Sequence, residues 1–341
     1  FCGAGGLTHG LVLEGIPVVA GIDLDPMCRF PYEQNNHARF IANDVSEISN
    51  EFIRELLGEA EITILAGCAP CQSFSTYSNR YDINRNERWS LLNEFSRIVE
   101  GNMPKIVTME NVPAVRNHHV FTDFVGTLKN LGYHVWYDVI DSTHYGLPQT
   151  RKRMVLLASL FGPITFIAKT HNRAVSVAEV IGDLDPIAAG EKSSLDRMHV
   201  SASLSPLNKR RIKASKPGGT WRDWPKSLVA ACHTEKTGKT YTGVYGRMEW
   251  NKPAPTMTTQ CYGFGNGRFG HPEQDRAISL REAAIFQGFP KDYQFVDETS
   301  PVSMTAMGRL IGNAVPVPLG QAIAKSIMQH LEDIAPVQKE M

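Results

Sequence analysis

The chain has 341 residues, 42% of them hydrophobic, and 35 Lys and Arg balance 35 Asp and Glu to a formal net charge of zero. That composition excludes a disordered or low-complexity chain and suits one large or two moderate globular domains. It also excludes a uniformly basic nucleic-acid binder, so any such contact must come from local bias. The six cysteines, at positions 2, 28, 68, 71, 232 and 261, form no paired framework. No signal peptide and no apolar run of spanning length is present, so a cytoplasmic protein with free thiols and no membrane contact is expected.

A glycine loop, Gly3-Ala4-Gly5-Gly6, opens the chain. Such a loop ordinarily follows an apolar strand, and with Phe1 as the first residue that strand is expected to be missing here. Ile16 to Ile22 then predicts a strand ending at Asp23, and Asp25-Pro26 a helix start. Phe52, Leu56 and Leu57 recur at helical spacing, with Gly58 as the stop. Ile62 to Ala66 and Ile106 to Met109 are continuous apolar runs, as strands covered on both faces require. Phe121, Phe124, Val125 and Leu128 predict an amphipathic helix, and Tyr133 to Ile140 and Met154 to Ser159 two more strands. The alternation predicts a doubly wound, mostly parallel α/β sheet over residues 1–165. Residues 166–276 lose the helical period and gather Gly, Pro, Thr, Trp and basic residues, which predicts a smaller, loop-rich second domain. Residues 277–341 read as a return segment. Leu280, Ala283, Ala284 and Phe286 restore the helical signal, and a last helix from about Pro318 to Leu331 should pack on the first domain.

The chemistry concentrates at strand ends. Gly67-Cys68-Ala69-Pro70-Cys71-Gln72-Ser73-Phe74-Ser75 presents a thiol after one strand, and Glu110-Asn111-Val112 a carboxyl after the next. A soft nucleophile beside an acid is what addition to a polarised ring needs. Cys68-Ala69-Pro70-Cys71 is also a CxxC, the pattern of thiol oxidoreductases. The polar run after Cys71 looks instead like a loop that closes over a substrate. Asp23 ends a strand where carboxylates bind ribose hydroxyls, and Asn43-Asp44-Val45 ends a third segment in the same way. Arg151 and Arg153 alternate at the start of a strand and should face one side. From Asn208 to Lys226 the only acid is Asp223, among Lys209, Arg210, Arg211, Lys213, Lys216 and Arg222, which fits a phosphate-facing patch or a solvated loop. No metal-binding constellation is present.

Six motifs in order resemble the cytosine-C5 DNA methyltransferases. They are Phe1-Cys2-Gly3-Ala4-Gly5-Gly6-Leu7, Pro70-Cys71-Gln72, Glu110-Asn111-Val112, Gln149-Thr150-Arg151-Lys152-Arg153, Arg281-Glu282 with Gln287-Gly288-Phe289-Pro290, and Gly312-Asn313-Ala314-Val315-Pro316. The resemblance implies a Rossmann-like domain, a target-recognition domain, S-adenosylmethionine as methyl donor and double-stranded DNA as substrate. It implies that Cys71 attacks C6 of a flipped-out cytosine while Glu110 holds N3. It assigns Arg153 to the O2 of the base and Arg151 to support of the catalytic loop and glutamate. The cofactor positions it implies are Phe1, Gly3, Ala4, Gly5, Gly6, Leu7, Asp23, Leu24, Asp44, Val45, Pro70, Leu91, Asn313, Ala314 and Val315. The DNA-facing candidates are Gln72, Ser75, Arg210, Arg211, Arg222, Arg247, Thr258 and Gln260, with Arg281 and Gln287 as organisers of the second domain. A monomer associated with the nucleoid, accompanied by a restriction endonuclease, completes the expectation. The rivals are a tRNA cytosine-C5 methyltransferase of the same family, a catalytically silent DNA-binding relative, and a thiol oxidoreductase using Cys68 and Cys71.

Overall fold

The computed structural model describes residues 1–69, 85–235 and 238–339. The chain divides into two compact units. The first contains Phe1–Tyr145, Lys152–Thr170 and Val317–Met341, and the second Gly146–Arg151 and His171–Pro316. These limits differ from the sequence expectation, because residues 277–316 cluster with the second unit and only the C-terminal helix with the first.

In the first unit helices and strands alternate: α1 (Gly6–Leu13), β1 (Ala20–Asp23), α2 (Arg29–Asn36), β2 (Arg39–Ala42), α3 (Asn50–Leu57), β3 (Ile64–Gly67), α4 (Arg85–Asn102), β4 (Ile106–Asn111), α5 (His119–Asn130), β5 (His134–Asp141) and β6 (Lys152–Ser159). β1 and β2 pair in parallel as a two-stranded sheet, and a four-stranded sheet runs β3-β4-β6-β5. The expected mostly parallel sheet is therefore mixed. β3 and β4 are parallel, but β6 lies antiparallel to both β4 and β5. β5 returns into β6 without a crossover helix, and only such a crossover keeps neighbours parallel.

β4 is buried at every position and β6 at most of its length, which is why both read as unbroken apolar runs. α5 turns Phe121, Phe124, Val125 and Leu128 onto that sheet, where they share a core with Val107, Met109, Leu156 and Ala158. Ser49 caps α3 through the Phe52 N–H, and Gly58 ends it at a positive φ of 59°. The C-terminal helix α11 (Val317–Lys339) packs on α1. There a Cβ on Gly10 would stand 2.6 Å from the backbone of Gln321, so only glycine admits the approach.

The second unit has short helices joined by long connections: α6 (Val177–Ile181), α7 (Pro206–Ala214), α8 (Ala231–Thr234), α9 (Leu280–Phe286) and α10 (Met304–Asn313). Buried ion pairs and carbonyl-bound guanidiniums organise it. Arg276 and Glu282 form a two-pronged pair at 2.7 Å, both fully buried. Arg281 binds Asp196 and the carbonyl of Tyr293, as expected of an organiser. Small apolar clusters fill the rest, among them Trp221, Trp224 and Leu228.

Candidate active site

The ends of β3 and β4 lie side by side. Their parallel register pairs Gly67 with Met109, so Cys68 and Ala69 run alongside Glu110 and Asn111. The Asn111 side chain ties the two ends together. Its Nδ2 donates to the carbonyl of Ala69 at 3.1 Å, and its Oδ1 accepts the N–H of Val112 at 2.8 Å. Asn111 thus fixes the backbone immediately before Pro70 and Cys71. Its motif, Glu110-Asn111-Val112, does not by itself assign Asn111 a role. Pro70, Cys71, Gln72 and Ser75 lie outside the described residues.

Glu110 is 7% exposed and meets Arg153, whose Nε donates to Oε1 at 2.9 Å. The register accounts for the pair. Glu110 stands opposite Val155 on β6, and Arg153, two residues away, projects to the same face within diagonal reach. Burial lowers the pKa of the guanidinium, while Glu110 pulls it back up. Burial also drives the Cys68 thiol well above the ordinary range, and the negative charge of Glu110 adds to the effect.

Around the glycine loop, Gly3 adopts φ 54° and Gly5 φ 89°, both in the left-handed region. No heavy atom lies within 4 Å of where a Cβ on Gly3 would stand. The N–H of Gly3 donates to Asp23 Oδ2 at 2.9 Å, and Asp25 N–H to Oδ1 at 3.0 Å, so the carboxylate is held at the mouth of the loop. Leu24 beside it is 68% exposed. Asp44 accepts from the N–H and hydroxyl of Ser46, which keep its pKa low. Two aimed carboxylates, an open glycine cradle and an exposed leucine fit a nucleoside. Ala4, Gly5, Gly6 and Leu7 are buried, Phe1 and Leu91 pack against the sheet core, and Val45 lies in a core cluster with Ile48 and Ile53.

Arg151 immediately precedes the first residue of β6. It groups with the second unit, where Nη1 donates to Met257 O at 2.9 Å and Nη2 to Gly312 O and Ala314 O. Gln149 and Gln287 complete the same buried hub. Gln149 binds the N–H of Met257 and the side chain of Gln287, and Gln287 donates to Ile311 O and Ala314 O. The Asn313-Ala314-Val315 turn is thereby pinned to the strand of chain that continues into Thr258 and Gln260, both exposed.

The basic candidates separate by burial. Arg210 and Arg222 are exposed. Arg211, 8% exposed, donates to Leu228 O and lies over the Trp224 and Tyr245 rings. Arg247, 5% exposed, is spent on the carbonyls of Ile212, Ser215, His271 and Gln274 and on Asp275. Both are structural cations, not surface readers, because their guanidiniums satisfy carbonyls that would otherwise be buried unpaired.

The sequence profile of the C-5 cytosine-specific DNA methylase family matches residues 1–329. The type II methylase M.HgiDII of Herpetosiphon aurantiacus is 51% identical over 98% of this chain and 95% of its own length. The type II methyltransferase M.Sau96I of Staphylococcus aureus is 29% identical over 97% of this chain and 75% of its own. Among solved structures, a prophage-encoded E. coli protein assigned as a DNA modification methyltransferase superposes with a TM-score of 0.74 at 20% identity, covering 97% of this chain and 98% of that one. This last likeness bears on the fold alone.

Proposed function

The chain belongs to the C-5 cytosine-specific DNA methylase family, and on that premise we propose that Cys71, Glu110 and Arg153 carry its chemistry. The activity is that of a DNA (cytosine-5)-methyltransferase using S-adenosylmethionine. When bound, that cofactor supplies an electrophilic methyl group on a sulfonium. The observation that carries the assignment of roles is the buried Glu110–Arg153 pair beside the β3 end that leads into Cys71.

The Cys71 thiolate adds to C6 of the target cytosine, forming a C–S bond as the ring's electron pair moves toward C5. Glu110 hydrogen-bonds N3 and shares a proton with it, so the ring is not left with full negative charge. Arg153 orients that carboxyl and presents donors to O2 of the base. After methylation, a base takes the C5 proton and the electron pair expels the Cys71 thiolate. The base must first leave the duplex stack, at a cost of a few kcal/mol. Asp23, Leu24, Asp44 and Val45 would contact the cofactor's ribose and adenine, and Gly3 would let the chain approach it closely. Asn313, Ala314 and Val315 serve the methionine end.

The second unit acts as the target-recognition part, with Arg210, Arg222, Thr258 and Gln260 facing DNA. A monomeric enzyme beside a companion endonuclease completes the proposal. The test is a duplex carrying 5-fluorocytosine in the methylated position, found beforehand by 5-methylcytosine-sensitive sequencing of DNA from expressing cells. Because C5 then has no proton to lose, the wild type should be trapped covalently and Cys71→Ser should not. An absence of adduct with active wild-type enzyme refutes the covalent route.

A further inference from the structure

Arg97 stands on α4 and holds the turn that carries Asp44 and Val45. Its Nη2 donates to the carbonyls of Val45 at 3.1 Å and of Ile48 at 3.0 Å. Its Nε donates to Glu94 Oε2 at 2.7 Å, three residues back on the same helix. The ion pair orients the planar guanidinium before it reaches the turn.

The turn needs such a hold. Val45–Glu47 form a single 3₁₀ turn after β2. Asp44 caps it by accepting the N–H and hydroxyl of Ser46, and the Glu47 and Ile48 N–H groups donate to the carbonyls of Asp44 and Val45. These bonds are internal, so they set the shape of the turn but not its place. Its start is tied to β1, where the Asn43 N–H donates to the Asp23 carbonyl at 3.2 Å. Its far end meets Arg97. Val45 and Ile48 also share an apolar cluster with Ile98, the next residue of α4. Apolar burial is non-directional and leaves the turn able to rotate, whereas two carbonyl bonds from one rigid nitrogen fix its heading.

We propose that Arg97 is a positioning residue for the cofactor. By holding the far end of the Asp44–Val45 turn, it sets where the adenosine half of S-adenosylmethionine is gripped, acting through backbone alone. The inference rests on the assignment of Asp44 and Val45 to that half. A lysine is only a partial substitute, because one ammonium lacks the flat fork that serves both carbonyls and Glu94 together.

The test compares the full-length wild type with Arg97→Gln, Arg97→Lys, Glu94→Gln and Asp44→Asn. Calorimetry measures binding of S-adenosylhomocysteine and of methylthioadenosine, which lacks the amino-acid end. Steady-state methyl transfer and thermal unfolding are measured beside it. Arg97→Gln should weaken both ligands by the same factor, about 10-fold. It should raise the KM for S-adenosylmethionine in proportion and leave kcat at saturating cofactor within about 2-fold. Arg97→Lys should lose about 3-fold, and Glu94→Gln about 2- to 3-fold. If Arg97→Gln does not fold, these two milder variants decide. Unchanged affinity for both ligands overturns the proposal, however far the melting temperature falls. So does a loss seen in kcat alone, or one confined to S-adenosylhomocysteine. Asp44→Asn keeps a capping oxygen and tests the underlying reading separately. Weak binding by Asp44→Asn with normal binding by the Arg97 variants sinks the inference alone. Normal binding by Asp44→Asn with weak binding by the Arg97 variants sinks the assignment of Asp44 alone.

Discussion

Arg153 and Asn111, on the neighbouring strands β6 and β4, do different work. Arg153 neutralises a carboxylate that is 7% exposed, where an uncompensated charge is expensive. Arg153→Ala should therefore lower stability by about 3–5 kcal/mol and kcat by about two orders of magnitude. Thermal unfolding and single-turnover methyl transfer measure the two effects, and normal turnover would remove Arg153 from the site. Asn111 holds backbone only. Asn111→Ala should cost about 1 kcal/mol in stability yet reduce kcat more than it raises the KM for the cofactor, because the Ala69 carbonyl next to the catalytic loop loses its donor. A matched loss in both kinetic terms would argue against that positioning role. Sequence reading found Glu110 and Arg153 because their motifs are short and local. It overlooked Asn111, whose partner is distant along the chain and whose bond depends on strand register.

At the scale of elements, close approach and strand direction decide what is possible. α1 and α11 meet at Gly10 and Gly320, so Gly10→Ala would press a methyl into the Gln321 backbone. A loss of about 1–3 kcal/mol is expected, read by denaturant unfolding, with the loss of cofactor affinity larger than for a surface Gly→Ala change. α1 begins at the glycine loop, so a shift of its axis moves the cradle at Gly3. A variant as stable as wild type would show that the helices can part at no cost. Helices α3, α5, α9 and α11 and most strands were legible from periodicity, whereas α1, α6, α7 and α8 were not. The antiparallel placement of β6 was not, since a strand buried on both faces reads alike in either direction. The α10 helix, Met304–Asn313, was also passed over, although Ser303 caps it through the Ala306 N–H.

Across the molecule, acid stability turns on a buried histidine of the second unit. His271 is 2% exposed, and its Nδ1 accepts the N–H groups of Glu273 and Gln274. Burial, reinforced by the charges of Arg276 and Arg247 and opposed by Glu282, brings its pKa down to about 4. The unfolded chain therefore binds this proton more readily, and its contribution is present above pH 6.5 and lost as pH falls toward 4. The loss is on the order of 3 kcal/mol. His271→Gln retains an acceptor but cannot take up the proton, so its stability should vary less between pH 6.5 and 4. Parallel pH dependence of the two proteins in chemical denaturation would refute the assignment.

Composition, periodicity and six short motifs determined the α/β class, the family and the order of the functional segments, because each is a local property of the chain. The use of each charged side chain was decided only by tertiary structure. Arg210 and Arg211 are neighbours in sequence, yet one meets solvent and the other lies over the Trp224 and Tyr245 rings. Arg151 and Arg153 are two residues apart, yet one clamps carbonyls at Met257 and Gly312 while the other neutralises Glu110. A guanidinium satisfies whichever acceptor the fold would otherwise leave buried and unmet. That acceptor is brought near by packing between segments far apart in the chain, which no local pattern of residues encodes.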